Sequence, residues 1–170
     1  LNGTLIAPGE EFSILDNLRP FTLENKYVPG LVIKAAEGKT ALEIGGGLCQ
    51  IGTTMFRTVL NAGLPITARS NHSYRVGYYE PPVGMDATIY DPAPDFKFIN
   101  DTGYWLLLTT RIEGVTATFE LWGTKDGRTV SLSKPEISNI REPGPKKMIE
   151  TTELTVGVIK CNEKAHLGSD

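Results

Sequence analysis

Cys49 follows three consecutive glycines, Gly45 to Gly47, just where an apolar stripe of helical period begins. A thiol at a helix N-terminus lies near unpaired backbone N–H groups and the positive end of the helix dipole. Both favour the thiolate and can lower its pKa from the free value of about 8.5. The same donors, here the N–H groups of Cys49 and Gln50, could hold an oxyanion developing on an attacked carbonyl. Gly45, Gly46 and Gly47 have no Cβ, so a substrate backbone could come close. A thiol nucleophile needs a base, and the base needs an orienter. His72 and then Asp86 follow in the order that would supply them, with Asp91 a weaker alternative orienter. The predicted site is therefore Cys49 as nucleophile, His72 as base and Asp86 as its partner. Gly45, Gly46, Gly47, Gln50 and Tyr74 are the residues that would meet a substrate.

A plainer reading accounts for the same residues. Free cysteine is among the most buried residue types and often only fills space. Cys49 falls by helical angle near Thr53, Phe56 and Leu60, at the edge of the stripe, where packing would also put it. His72 could be a half-buried structural histidine, and Asp86 could cap a turn after Gly84. The other cysteine and histidine, Cys161 and His166, form a lone pair in a polar tail. Their spacing argues for no zinc site, no other metal and no cofactor.

The elements that would position these groups come from periodicity. Leu48, Ile51, Met55, Phe56, Val59 and Leu60 recur at steps of three and four, which predicts a helix over about 48–62. Gly63 stops it, with Pro65 beyond. Turn signals at Pro8-Gly9 and Pro29-Gly30 precede a short strand around Glu11–Leu15 and a strand in "YVPGLVIK". "AAEGKT" reads as a hairpin tip and "ALEI" as its return strand. After the helix the period becomes two. "ITARS", "HSYRVGYY", "DATIYD", "DFKFIN", "YWLLLTTRI" and "VTATFELWG" are predicted strands, and "KDG" a hairpin into "RTVSLS". His72 and Tyr74 would share one strand face, and Asp86 would open the next strand. The fold class is α+β, with one central helix packed on a largely antiparallel sheet. Cysteine at a helix start, then histidine and aspartate on successive strands, resembles the transglutaminase-like and papain-like thiol enzymes in arrangement. Residues 1–134 form one domain. Residues 135–170 are an extended segment rich in proline and charge, with one further strand in "TTELTVGVIK" and a polar end.

Hydrophobic content of 40% and charged content of 22% suit a soluble globular chain. A net charge of −3, with no basic stripe interleaved with aromatics, argues against nucleic acid as a partner. No apolar run approaches the roughly 20 residues of a membrane span. The chain opens on Leu1 rather than Met and reads as a piece of a longer protein, so a missing signal says little about location. Trp105 and Trp122, with Tyr74, Tyr78, Tyr79 and Tyr104, are either sheet core or a surface for stacking sugar or peptide.

Four stretches together, "LNGTLIAPGEEFSI", "GGGLCQIGTTMFRTVLNAGLPI", "NHSYRV" and "GMDATIYDPAPDFKFINDTGYWLLL", resemble the VanW family from about Leu1 to Thr124. Gly52 stands where that family commonly has a small Ser. The resemblance implies the extracytoplasmic, cell-envelope side of a Gram-positive bacterium and a membrane anchor carried on a segment outside this chain. It links the domain to vancomycin-resistance clusters by gene neighbourhood, and it names no reaction. Joined to the chemistry of Cys49, His72 and Asp86, it leads to two expectations. One is a cysteine-dependent amide hydrolase or transpeptidase acting on peptidoglycan or wall-precursor peptide. The other is a non-catalytic envelope module that binds peptidoglycan or another envelope protein, with Cys49 structural.

Overall fold

A computed structural model describes residues 1–34, 39–73, 75–161 and 167–169. The chain divides into two compact units, Leu1–Ser133 and Lys134–Asp170. The first unit holds every helix and strand among the described residues. In chain order these are β1 (Thr4–Ile6), β2 (Glu11–Ser13), α1 (Ile14–Leu18), β3 (Pro29–Lys34), β4 (Lys39–Ile44), α2 (Leu48–Ala62), β5 (Ile66–Ala68), a single 3-10 turn (Gly77–Tyr79), β6 (Lys97–Ile99), β7 (Leu106–Glu113) and β8 (Thr116–Gly123). The fold is α+β. In place of the one sheet expected, the described residues form three small antiparallel sheets, ordered β1-β7-β8, β2-β6-β5 and β3-β4. The expected hairpin tip over "AAEGKT" falls largely outside the described residues.

The apolar stripe on α2 explains why the sheets gather round it. Met55 and Val59 are fully buried and Phe56 nearly so. They meet Phe12 from β2, Phe96, Phe98 from β6, and Ile6 and Leu108 from β1 and β7, in one core. The rings of Phe56 and Phe96 meet edge to face at 6.0 Å, and those of Phe12 and Phe98 lie 5.2 Å apart. Burying each such side chain contributes roughly 1.5–3 kcal/mol, enough to hold a helix that has no side-chain cap at its start.

Several expected strands are replaced, each for a local reason. The strand predicted to reach Leu15 ends at Ser13, because Ser13 caps α1. Its hydroxyl accepts the Asp16 N–H at 3.1 Å and donates to Asp95 at 2.6 Å, while Asp95 also accepts the Leu15 N–H. "RTVSLS" forms no strand. Asp126 accepts the Arg128 backbone N–H, and the Arg128 guanidinium turns to Asp101 and to the Gly63 carbonyl at the end of α2. That places a cation at the negative end of the helix dipole. The described residues of "HSYRVGYY" and "DATIYD" are also not sheet. Four carbonyls between Tyr79 and Asp86 accept from arginine side chains instead of a neighbouring strand. Arg57, on α2, donates to the carbonyls of Met85 and Tyr79, and Arg69 to those of Asp86 and Gly84.

The second unit has no helix or strand among its described residues, so the strand expected in "TTELTVGVIK" is not formed there. A bridge joins Arg141 to Gly168 through backbone bonds of 2.7 and 2.9 Å.

Candidate functional site

Gly45 and Gly47 adopt φ of +94° and +90°, the left-handed region that glycine enters without strain, and so turn the chain from β4 into α2. Gly46 packs directly on the backbone of Gly30 at the start of β3. Cys49 is thereby the second residue of the helix. The Leu48 N–H is bonded to the Gly45 carbonyl and the Gln50 N–H to that of Gly47 at 3.0 Å. The Cys49 N–H has no acceptor among the described residues. Of the two oxyanion donors expected, it is the open one. The Gln50 side chain is exposed beside it, and Tyr74 lies outside the described residues.

The fold brings Cys49, His72 and Asp86 together, though not on adjacent strands. His72 lies in the irregular segment after β5, and Asp86 in an extended stretch that follows it. One carboxylate oxygen of Asp86 accepts both the His72 backbone N–H at 2.9 Å and Nδ1 at 2.5 Å. The proton is thus assigned to Nδ1, leaving Nε2 for the thiol. The other Asp86 oxygen lies 3.7 Å from Arg69. The His72 imidazole lies near enough to the Cys49 thiol for each to shift the other's ionisation. The Cys49 Sγ also meets the Thr88 hydroxyl and the Ile89 carbonyl, each at 3.4 Å.

These neighbours set the charges. Burial pushes the Cys49 thiol up, but hydrogen bonds with His72, Thr88 and the Ile89 backbone, and the charge of His72, together hold it below its ordinary value. Burial pulls the His72 imidazole down, yet its bonds to Asp86 and Cys49 and their charges raise it to about 9. Burial raises the Asp86 carboxyl, and the two His72 bonds, the imidazolium and Arg69 outweigh that and lower it. The directions agree with a thiolate–imidazolium pair over a carboxylate. Asp91 is not part of this group and pairs with Arg19 at 2.6 Å.

Three contributions escaped the sequence reading. Thr88 touches the thiol, and the alternation in "DATIYD" held the signal. Ala87 and Ile89 are buried on one side, so Asp86 and Thr88 take the other. Gly52 and Thr53 seat that stretch on α2. A Cβ at Gly52 would lie 3.2 Å from Ile89, tighter than ordinary contact, so the glycine lets that stretch lie close on the helix. The Thr53 hydroxyl donates to the Ala87 carbonyl at 3.1 Å and accepts its N–H at 3.0 Å. Thr53→Val keeps the shape and removes both bonds, so urea unfolding should show a loss of about 2 kcal/mol. A variant as stable as the parent would mean that other contacts hold residues 86–90. Arg57 and Arg69, as described above, hold the stretch from Tyr79 to Asp86, a long-range partnership without a local pattern.

The result is a small α+β unit with a thiol, an imidazole and a carboxylate joined at the start of its long helix. A family profile described as "VanW like protein" matches residues 1–122, and the chain belongs to the VanW-like family. It is 34% identical over 134 residues to the "Vancomycin B-type resistance protein VanW" of Enterococcus faecalis, covering 76% of this chain and 43% of that protein. It is 30% identical over 124 residues to the "Uncharacterized protein YoaR" of Bacillus subtilis, covering 73% of this chain and 40% of that one. The chain thus spans about two fifths of the length of these relatives. No solved structure matches it.

Proposed function

We propose that Cys49, His72 and Asp86 form a thiol site that hydrolyses or transfers a peptide or amide bond of peptidoglycan or a wall-precursor peptide, on the outer side of the membrane. The observation that carries this reading is the joined set itself, with the thiol lowered and the imidazole raised to about 9. His72 Nε2 takes the thiol proton, and Sγ attacks the carbonyl carbon. The Cys49 N–H steadies the oxyanion, and the imidazolium returns the proton to the leaving amine. Water or a second amine then releases the thioester. The arrangement is like that of papain-like and transglutaminase-like enzymes in its helix-borne thiol. It differs in carrying histidine and aspartate outside strands. The wall as substrate rests on the family and on the resistance named in the Enterococcus relative.

The test is the rate of Cys49 alkylation against pH, with Cys161 replaced by Ser, in the parent and in His72→Ala. A midpoint well below about 8.5 that rises without His72 is expected. A thiol that alkylates only on unfolding would remove the mechanism. Cys49→Ser should also abolish turnover of wall peptides.

A second reading, a non-catalytic module binding wall glycan, is favoured by the outer face of the β1-β7-β8 sheet. Leu5, Leu107 and Trp122 stand in register across its three strands, and Leu5, Trp105 and Trp122 are all more than half exposed. Such aromatics stack well on sugar rings. On this reading Trp105→Ala with Trp122→Ala should abolish retention on insoluble wall material, while Cys49→Ala leaves it intact.

A further inference from the structure

Tyr79 ends the 3-10 turn and is 7% exposed. Its carbonyl is held by Arg57 from α2, and its N–H by the Val76 carbonyl at 3.0 Å. Its ring lies 5.5 Å from the His72 imidazole, tilted by 34°, and 4.5 Å from the exposed Tyr78. Its hydroxyl is wholly buried and completes no hydrogen bond among the described residues. The nearby Thr53 hydroxyl is already engaged by both backbone groups of Ala87.

A buried donor left in this state is destabilising, and Phe would pack there without that penalty. Thr53 lies four residues after Cys49, hence on the same side of α2, so a hydroxyl beside Thr53 lies on the thiol's side of the helix. Burial above all, then Tyr78 and the charge of Cys49, push the phenol upward against a smaller lowering by Thr53, so it stays a donor throughout the range in which the thiol ionises.

We propose that Tyr79 is a positioning residue of this site, its buried hydroxyl being the donor that the Cys49 thiolate takes up when the proton leaves. The inference rests on reading Cys49, His72 and Asp86 as a thiol site. The neutral thiol has a hydrogen of its own, which the Ile89 carbonyl or His72 Nε2 can accept. The thiolate has no hydrogen to donate and three lone pairs to satisfy, so it gains most from a donor held ready in a dry place. The ring contact with His72 keeps that donor in place as the imidazole charges.

The experiment uses the full chain with Cys161→Ser, with and without Tyr79→Phe. It measures the pH midpoint of Cys49 alkylation and the thermal midpoint. Tyr79→Phe is expected to raise the alkylation midpoint by about one pH unit, since a hydrogen bond to a charged group is lost. The thermal midpoint should stay the same or rise, because an unsatisfied buried group is gone. An unchanged alkylation midpoint, or a drop of several degrees in melting, would overturn the proposal. The second outcome would show that the hydroxyl already has a structural partner. The parent and His72→Ala titrations keep the two ideas separate. A parent midpoint near 8.5 fails the thiol site itself. A low, His72-dependent midpoint that ignores Tyr79→Phe fails only the role of Tyr79. Tyr79→Leu, which removes ring and hydroxyl together, should raise the alkylation midpoint at least as far as Phe does.

Discussion

Gly46→Ala is expected to lower the thermal midpoint by roughly 10 °C or to stop the chain folding, a loss of about 3 kcal/mol or more. A Cβ at Gly46 would overlap the Gly30 backbone, 2.7 Å from its nitrogen and closer still to its Cα. The reverse holds too, since a Cβ at Gly30 would sit 2.8 Å from the Gly46 Cα. Both sides of the contact are main chain, so no rotamer can relieve it. Gly46 has an ordinary φ, so alanine introduces no backbone strain and the effect is purely steric. The separation would pull β3 and β4 away from the start of α2 and disturb the link from Tyr90 to Glu43. It would also move the turn that sets the Cys49 N–H. Gly77 serves as a control, since a Cβ there meets nothing within 4 Å, and Gly77→Ala should change stability by no more than about 0.5 kcal/mol. Melting curves for the two variants decide the matter. A Gly46→Ala protein that melts within 2–3 °C of the parent, by this scale under about 1 kcal/mol, would mean that the two backbones do not touch in solution.

Gly46 also marks how far the sequence could be read. Three glycines before a cysteine implied a tight turn, but not that the middle one is packed against Gly30. Helix α2 was legible end to end, because six apolar residues at steps of three and four and a terminal Gly63 leave one solution. The grouping of Cys49, His72 and Asp86 was legible because a thiol site would need those types in reach of one another. The strands assigned to His72 and Asp86 were not formed. Period two was present, but the carbonyls of Tyr79, Gly84, Met85 and Asp86 accept from Arg57 and Arg69, which lie 15 to 28 positions from them and follow no local rule. The short helix α1 was hidden in the same way, because its cap depends on Asp95. Alternation, then, described which side chains turn inward and did not decide whether the backbone joins a sheet.

The same dependence on distant partners makes Asp86 the most informative residue to change. Asp86→Asn keeps the size and removes the charge. One amide oxygen can still accept both His72 bonds, but the amide NH2 must then face Arg69, where a carboxylate oxygen now lies at 3.7 Å. The imidazole loses the partner that does most to raise it and should fall from about 9 towards 6.5. The thiol loses the imidazolium that helps to lower it, so its alkylation midpoint should rise. If the site turns over wall peptide, kcat/KM should fall roughly a hundredfold, with the alkaline limb of the pH profile moving to lower pH. Stability carries an independent signature. The raised His72 contributes fully below 6.5 and loses its contribution as pH climbs through 9. The lowered Asp86 contributes fully above 3.8 and loses its contribution as pH falls through its depressed folded value. The deficit of Asp86→Asn against the parent should therefore be greatest between about pH 4 and 6.5 and shrink on either side. Unfolding in urea at acid, mid-range and alkaline pH reads this directly. A deficit of equal size at all three would mean that Asp86 shapes the loop without ever pairing with a charged His72.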